Sequence, residues 1–161
     1  MFGLQFALAL GARAIITSRD VSKLERAREL GATEGIDTRR QPDWDKAVLD
    51  LTGGRGANHI LELVSGENLS RSLRASSGRI SQIGILGALQ AEVPMLPLIL
   101  KQVVLRGIVV GHRRVFEAMS VGIEAMKIKP VIDAVYAFDQ VPQAFAHLDR
   151  GPFGKVVIKV S

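Results

Sequence analysis

Strand-like and helix-like segments alternate along the whole chain, which confines it to a parallel sheet crossed by helices. Met1 to Leu10 reads as a helix closed by Gly11, and the β-branched run Ala14-Ile15-Ile16-Thr17 follows at once. A charged amphipathic helix runs from about Val21 to Leu30 and stops at Gly31. Short apolar runs separated by helical stretches of this length are the pattern of β-α-β crossovers. The later segments keep the rhythm, with strands expected near 33–36, 59–64, 79–85, 105–110, 131–136 and 155–160. Helices are expected near 44–51, 66–74, 96–102, 115–126 and 140–148. A doubly wound sheet of this kind should begin with a strand and a glycine-rich turn that points helix N–H groups at a phosphate. No G-x-G-x-x-G occurs among the 161 residues.

Composition narrows the class. With 47% hydrophobic residues there is material for one sizeable core. Six Phe, one Trp and one Tyr leave the interior to Leu, Val, Ile and Ala. Cysteine is absent, which removes disulfides and thiolate metal sites and is compatible with a reducing, cytoplasmic setting. The longest apolar candidate for a membrane segment, Val93 to Leu105, is broken by Pro94, Pro97 and Lys101. The net charge of +5 raises nucleic-acid binding as a possibility. The cations are scattered, however, and alternate with acids on one helix (Lys23, Glu25, Arg26, Arg28, Glu29), as on a solvated face. No aromatic platform or recognition helix accompanies them.

Several stretches in order carry a resemblance: LALGARAIITSRDVSKLERARELGA, LTGGRGANHILELV, GRISQIG, LRGIVVG and FGKVVIKV. Together they resemble the medium-chain dehydrogenase/reductase superfamily, the alcohol dehydrogenase and quinone reductase group. The resemblance implies a doubly wound parallel (Rossmann-type) α/β sheet without its first strand and glycine-rich turn, ending in a β-α-β tail. Residues 1–111 would be an incomplete cofactor-binding domain, and 112–161 a segment that in the family returns to a catalytic domain. The implied chemistry is hydride transfer between a nicotinamide and a small alcohol, carbonyl or quinone. This chain alone would not be competent for turnover. The alternatives are a non-catalytic nucleotide-binding or interaction module and a truncated gene product.

The resemblance also places candidate residues. Where NAD-specific relatives carry an acid for the adenosine ribose, this chain has Ser18, then Arg19, with Lys23 nearby. A hydroxyl and two cations suit a 2′-phosphate, so NADP is the expected cofactor, with NAD possible. Asp20 is either an N-cap for the next helix or a substitute ribose acceptor. Gly84 and Ile85 resemble the segment beside the nicotinamide ribose, and Val109, Val110 and Gly111 the strand end that binds the carboxamide. Lys155 matches a family lysine near the cofactor. His112, Arg113 and Arg114 form a basic helix start, while His59 and His147 lack partners at metal-ligand spacing. Any zinc site would lie outside this chain. Glu62 and Glu67 flank a strand end, but without a substrate frame the pair supports no acid–base claim. With the central strand missing, the segments at Ala14–Thr17 and His59–Val64 would expose backbone edges, and a homo-oligomer is expected.

Overall fold

The computed structural model describes residues 1–160. Its elements are α1 (Phe2–Ala9), β1 (Ile15–Ser18), α2 (Val21–Glu29), β2 (Glu34–Asp37), α3 (Trp44–Leu51), β3 (Ala57–Glu62), α4 (Glu67–Ala75) and β4 (Ser76–Gln82). Beyond these come α5 (Met95–Leu100), β5 (Val104–Gly107), α6 (Arg113–Ala125), β6 (Ile132–Ala137), α7 (Val141–Asp149) and β7 (Lys155–Lys159). Every strand pairing is parallel. The alternation therefore yields the crossover α/β architecture that the pattern demands.

Helix spacing explains the burial. In α2, Leu24 and Ala27 turn inward three residues apart while the charged residues around them face water. In α3, Trp44 and Val48 do the same four apart, and in α4 Leu69, Ser72 and Leu73 form the buried stripe. Arg74 from α4 donates to the buried Asp45 of α3 at 2.6 Å, and Arg71 reaches both Asp43 and Asp45. These bonds tie the two helices together along their flank.

The strands are ordered β2-β1 and β3-β4-β5, with β6-β7 as a third pair. In a doubly wound sheet the central strand lies between the equivalents of β1 and β3. Among the described residues nothing is hydrogen-bonded into that position, and β1 and β3 do not close up on each other. Side chains bridge the two halves instead. Ile15 of β1 and Ile60 of β3 both pack on the cluster of Ile36, Trp44, Val48 and Ala75.

Two strand ends differ from expectation. The ladder of β4 and β5 ends at Gln82 and Gly107, not at Ile85 and Val110. Ile108 still donates to the Gln82 carbonyl at 2.9 Å. Past Gln82 the chain turns toward β3, where Ile83, Leu86 and Gly87 donate to the carbonyls of Glu62, Leu63 and Val64. Val109 and Val110 thus lose their ladder partner despite strong strand propensity, and they stand 86% and 92% exposed.

Candidate nucleotide-binding site

Two groups of residues sit at the carboxyl ends of the parallel strands, the edge where ligands bind in open α/β sheets. The first is the β1–α2 turn. Ser18 ends β1, and its Oγ accepts from the Asp20 amide at 3.0 Å. Asp20 is the N-cap of α2: its Oδ1 accepts from the Ser22 amide at 3.0 Å and from the Ser22 hydroxyl at 2.7 Å. The Ser22 hydroxyl, more than the attraction of Lys23, holds the Asp20 carboxyl below its ordinary range. Of the two readings of Asp20, the geometry realises the cap.

Lys23 points away from this turn toward the far end of the chain, where its Nζ donates to the Gly151 carbonyl. Arg19 is exposed and makes no hydrogen bond or ion pair among the described residues. Of the expected trio, Ser18 and Arg19 thus share the turn, while the Lys23 ammonium fastens α2 to the loop before β7.

The second group is an open cleft of about 550 Å³ between the ends of β4 and β5, lined by Gln82–Ile85 and Gly107–Val110. It brings together Gly84, Ile85, Val109 and Val110, which lie twenty-odd residues apart in sequence, and Gly111 follows directly. Gly84 is required by close approach, since a Cβ there would lie 2.6 Å from the Leu63 carbonyl oxygen. The lining is apolar except for the Gln82 carboxamide, whose Nε2 donates to the Gly84 carbonyl at 2.5 Å.

Lys155 lies elsewhere. It opens β7, its Nζ stands 5.7 Å from the centre of the Phe2 ring, and it lines a cavity of about 70 Å³ with Met1, Gln5 and Phe153. Burial, reinforced by Lys155, pushes the Met1 amine below its ordinary value. His112 stands at the N-cap position of α6 without a side-chain cap bond, and Arg113 pairs with Glu117 at 2.7 Å on the exposed side of that helix. His59 shares a hydrogen bond of 2.9 Å with Ser81, and His147 sits between Tyr136 and Asp133. No cluster of three or more metal-ligating side chains occurs among the described residues, and with cysteine absent the donor set does not fit a zinc site.

The residue that sequence reasoning passed over is Glu62. It is 1% exposed at the end of β3, and its carboxylate accepts from the amides of Val64 and Ser65 at 2.8 and 3.1 Å. Asn68 and Ser72 of α4 donate to it as well. Its only sequence signal is an acid at the end of an apolar strand just before Ser65-Gly66.

Parallel strands in the doubly wound arrangement, with a capped β1–α2 turn and an apolar cleft across β4 and β5, define a dinucleotide-binding class of domain. The comparisons make it particular: a family profile described as zinc-binding dehydrogenase matches residues 1–125, and the chain belongs to that family. Over 99% of its length it is 39% identical to a zinc-type alcohol dehydrogenase-like protein of Schizosaccharomyces pombe, covering 48% of that protein. A quinone oxidoreductase-like protein 2 of Bos taurus is 29% identical over 94% of the chain, which covers 46% of that relative. Among solved structures, an alcohol dehydrogenase provisionally assigned in Sinorhizobium meliloti 1021 superposes with a TM-score of 0.91. Its identity is 52%, with 99% of this chain and 47% of that one covered. Benzyl alcohol dehydrogenase from Acinetobacter calcoaceticus gives 0.84 at 29% identity, with 98% of this chain and 46% of that one covered. The chain spans about half the length of the relatives it matches. No helix among the described residues is long and apolar enough to cross a membrane.

Proposed function

We propose that this chain is the nicotinamide-dinucleotide-binding part of an oxidoreductase that moves a hydride between the cofactor and a small alcohol, carbonyl or quinone. The observation that carries this reading is the apolar cleft at the carboxyl ends of two adjacent parallel strands, bordered by Gly84. In this reading residues 1–111 hold the cofactor, and residues 112–161 pack against a catalytic domain that this chain does not supply. The protein acts in the cytoplasm on small molecules, not on nucleic acid.

The nicotinamide, when bound, supplies the hydride chemistry; the protein binds and orients it. Ile85, Val109 and Val110 offer an exposed apolar surface for the ring to lie against, and backbone groups at 84–85 and 109–111 would fix its orientation. At the other end Arg19 offers planar donors and Ser18 a hydroxyl to the adenosine ribose, which favours NADP and tolerates NAD. Lys23 can join them only by leaving the Gly151 carbonyl. Lys155 would meet the cofactor on the side of α1.

One observation favours a second reading, a binding module without catalysis: the eight residues of the cleft carry no ionisable side chain. The cleft orients a ligand and transfers no proton, so turnover needs groups from outside it.

Fluorescence titration of the purified chain with NADPH and NADH, beside a melting curve, tests the proposal. Saturable binding with NADPH ahead of NADH is expected, together with a rise in melting temperature. A well-folded chain that binds neither dinucleotide would overturn it.

A further inference from the structure

We propose that Glu62 is a positioning residue for the nicotinamide side of the cleft, acting through the turn that follows β3; the inference rests on the cofactor-binding reading above. A carboxylate removed from water is costly unless its oxygens are filled with hydrogen bonds. Glu62 meets that condition without a cation. Oε1 accepts from the amides of Val64 and Ser65 and from Asn68, and Oε2 accepts from Asn68 and Ser72. The donors come from both sides of one turn, so the carboxylate pins the strand end to the first two turns of α4.

The turn is not a relaxed one. Ser65 has φ +68°, where side chains are disfavoured, and Gly66 follows at φ +58°, ψ −136°. Hydrogen bonds from the Ser65 amide to Glu62 and from Asn68 to the Ser65 carbonyl hold the backbone there.

What the turn carries is the wall of the cleft. The Glu62 carbonyl accepts from Ile83 at 2.7 Å and from Gly84 at 3.3 Å; Leu63 accepts from Leu86 at 3.1 Å, and Val64 from Gly87 at 2.7 Å. Three successive carbonyls of the turn therefore fix the path of residues 83–87 after they leave β4. Three of those residues, Ile83, Gly84 and Ile85, line the cleft. The Glu62 side chain itself is not among the lining residues, so its effect on a ligand passes through the backbone.

The test compares Glu62→Leu, which keeps bulk but removes the acceptor, with Glu62→Gln, which keeps one oxygen for the Val64 and Ser65 amides. Amide hydrogen exchange is followed residue by residue in the full chain. Glu62→Leu should speed exchange at Ile83, Leu86 and Gly87 by about tenfold or more while the β1–β2 amides stay within about twofold of wild type. Glu62→Gln should restore most of the protection. In the second arm, Glu62→Leu should weaken NADPH binding by about tenfold and leave 2′,5′-ADP, a probe of the adenosine end, within about twofold. A merely structural role would weaken both ligands together.

Unchanged exchange at those three amides overturns the proposal, as does an equal rise in exchange throughout the chain or an equal loss of both ligands. If wild type binds neither nucleotide, the cofactor reading falls and the exchange arm alone decides whether Glu62 holds 83–87. If Glu62→Leu does not fold, Asn68→Ala replaces it, with a smaller change at the same amides expected.

Discussion

At the residue scale, short polar side chains do most of the work at the edge of the sheet. Ser18 and Asp20 shape the entry to α2, and Arg19 is left facing water. The first prediction concerns Arg19: Arg19→Ala should weaken NADPH binding by about tenfold and change NADH binding by less than about twofold, as read by fluorescence titration. Equal effects on both cofactors would remove Arg19 from selectivity. Gly84→Ala makes a second case, because its new methyl would overlap the Leu63 carbonyl. It should cost about 1–3 kcal/mol in thermal unfolding and distort the cleft, reducing NADPH affinity as well. The nearby strand end shows why pattern alone misplaces such residues. Ile108-Val109-Val110 is as good a strand sequence as the chain contains, yet pairing stops at Gly107 because the partner strand has turned toward Glu62. Strand propensity is local, whereas a ladder needs a neighbour of equal length.

At the scale of elements, charged pairs reinforce helices that already share apolar packing, Trp44 and Val48 of α3 with Ala75 of α4. The buried Asp45 of α3 is held by Arg74 and Arg71 of α4, and Asp45→Ala should lower stability by about 2 kcal/mol, moderated by the solvent around Arg74. Urea unfolding checks it, with a change below about 0.5 kcal/mol counting against the pair. The unit of β6, α7 and β7 is fastened to α2 in a similar way. Arg26 donates to Asp133 at 2.8 Å and stacks 4.2 Å from the centre of the Phe153 ring, while Lys23 holds the Gly151 carbonyl. The hydrogen bond and charge of Arg26, aided by His147, hold the Asp133 carboxyl below its ordinary value of 3.8. A group whose folded pKa is depressed stabilises the fold fully above the unfolded value, and the contribution fades as pH falls through the folded one. Docking of this unit on α2 should therefore survive mild acid and be lost only below about pH 4. Tyrosine fluorescence from Tyr136 during acid titration, compared with Arg26→Ala, checks this. The variant should lack that acid step and undock more readily at neutral pH.

For the whole molecule, the distribution of apolar surface is the informative feature. None of the residues of α5, β5 or α6 is buried, and the side chains of Val104, Leu105, Val109, Val110, Val115 and Phe116 face outward. A bare apolar edge strand is a template for another strand. Antiparallel pairing of two copies centred on Gly107 would set Val104 against Val110 and Leu105 against Val109, a self-complementary apolar register of the kind a two-fold interface needs. The expectation of a homo-oligomer is thus kept as a proposal, with β5 added to the edges of β1 and β3. Sedimentation velocity should show a concentration-dependent dimer that Val109→Lys reduces; a compact monomer at high concentration would sink the idea.

The sequence by itself determined the order of elements, the parallel crossovers, the inward stripes of α2, α3 and α4, and the family, because helical and strand periodicities are properties of neighbouring residues. Through the family resemblance it also put forward Gly84 with Ile85 and Val109 with Val110 as candidate site residues. Only the tertiary structure decided that these two pairs share a cleft, that Asp20 caps α2, that Lys23 spends its ammonium on Gly151, and that Glu62 organises the turn beneath Gly84. The cleft, the Lys23 bond and the hold of the turn on residues 83–87 depend on groups that arrive from distant parts of the chain. The Asp20 cap, by contrast, is a bond to Ser22, two residues on, that the sequence offers without choosing. An acid at a strand end looks the same in sequence whether water or four protein donors surround it.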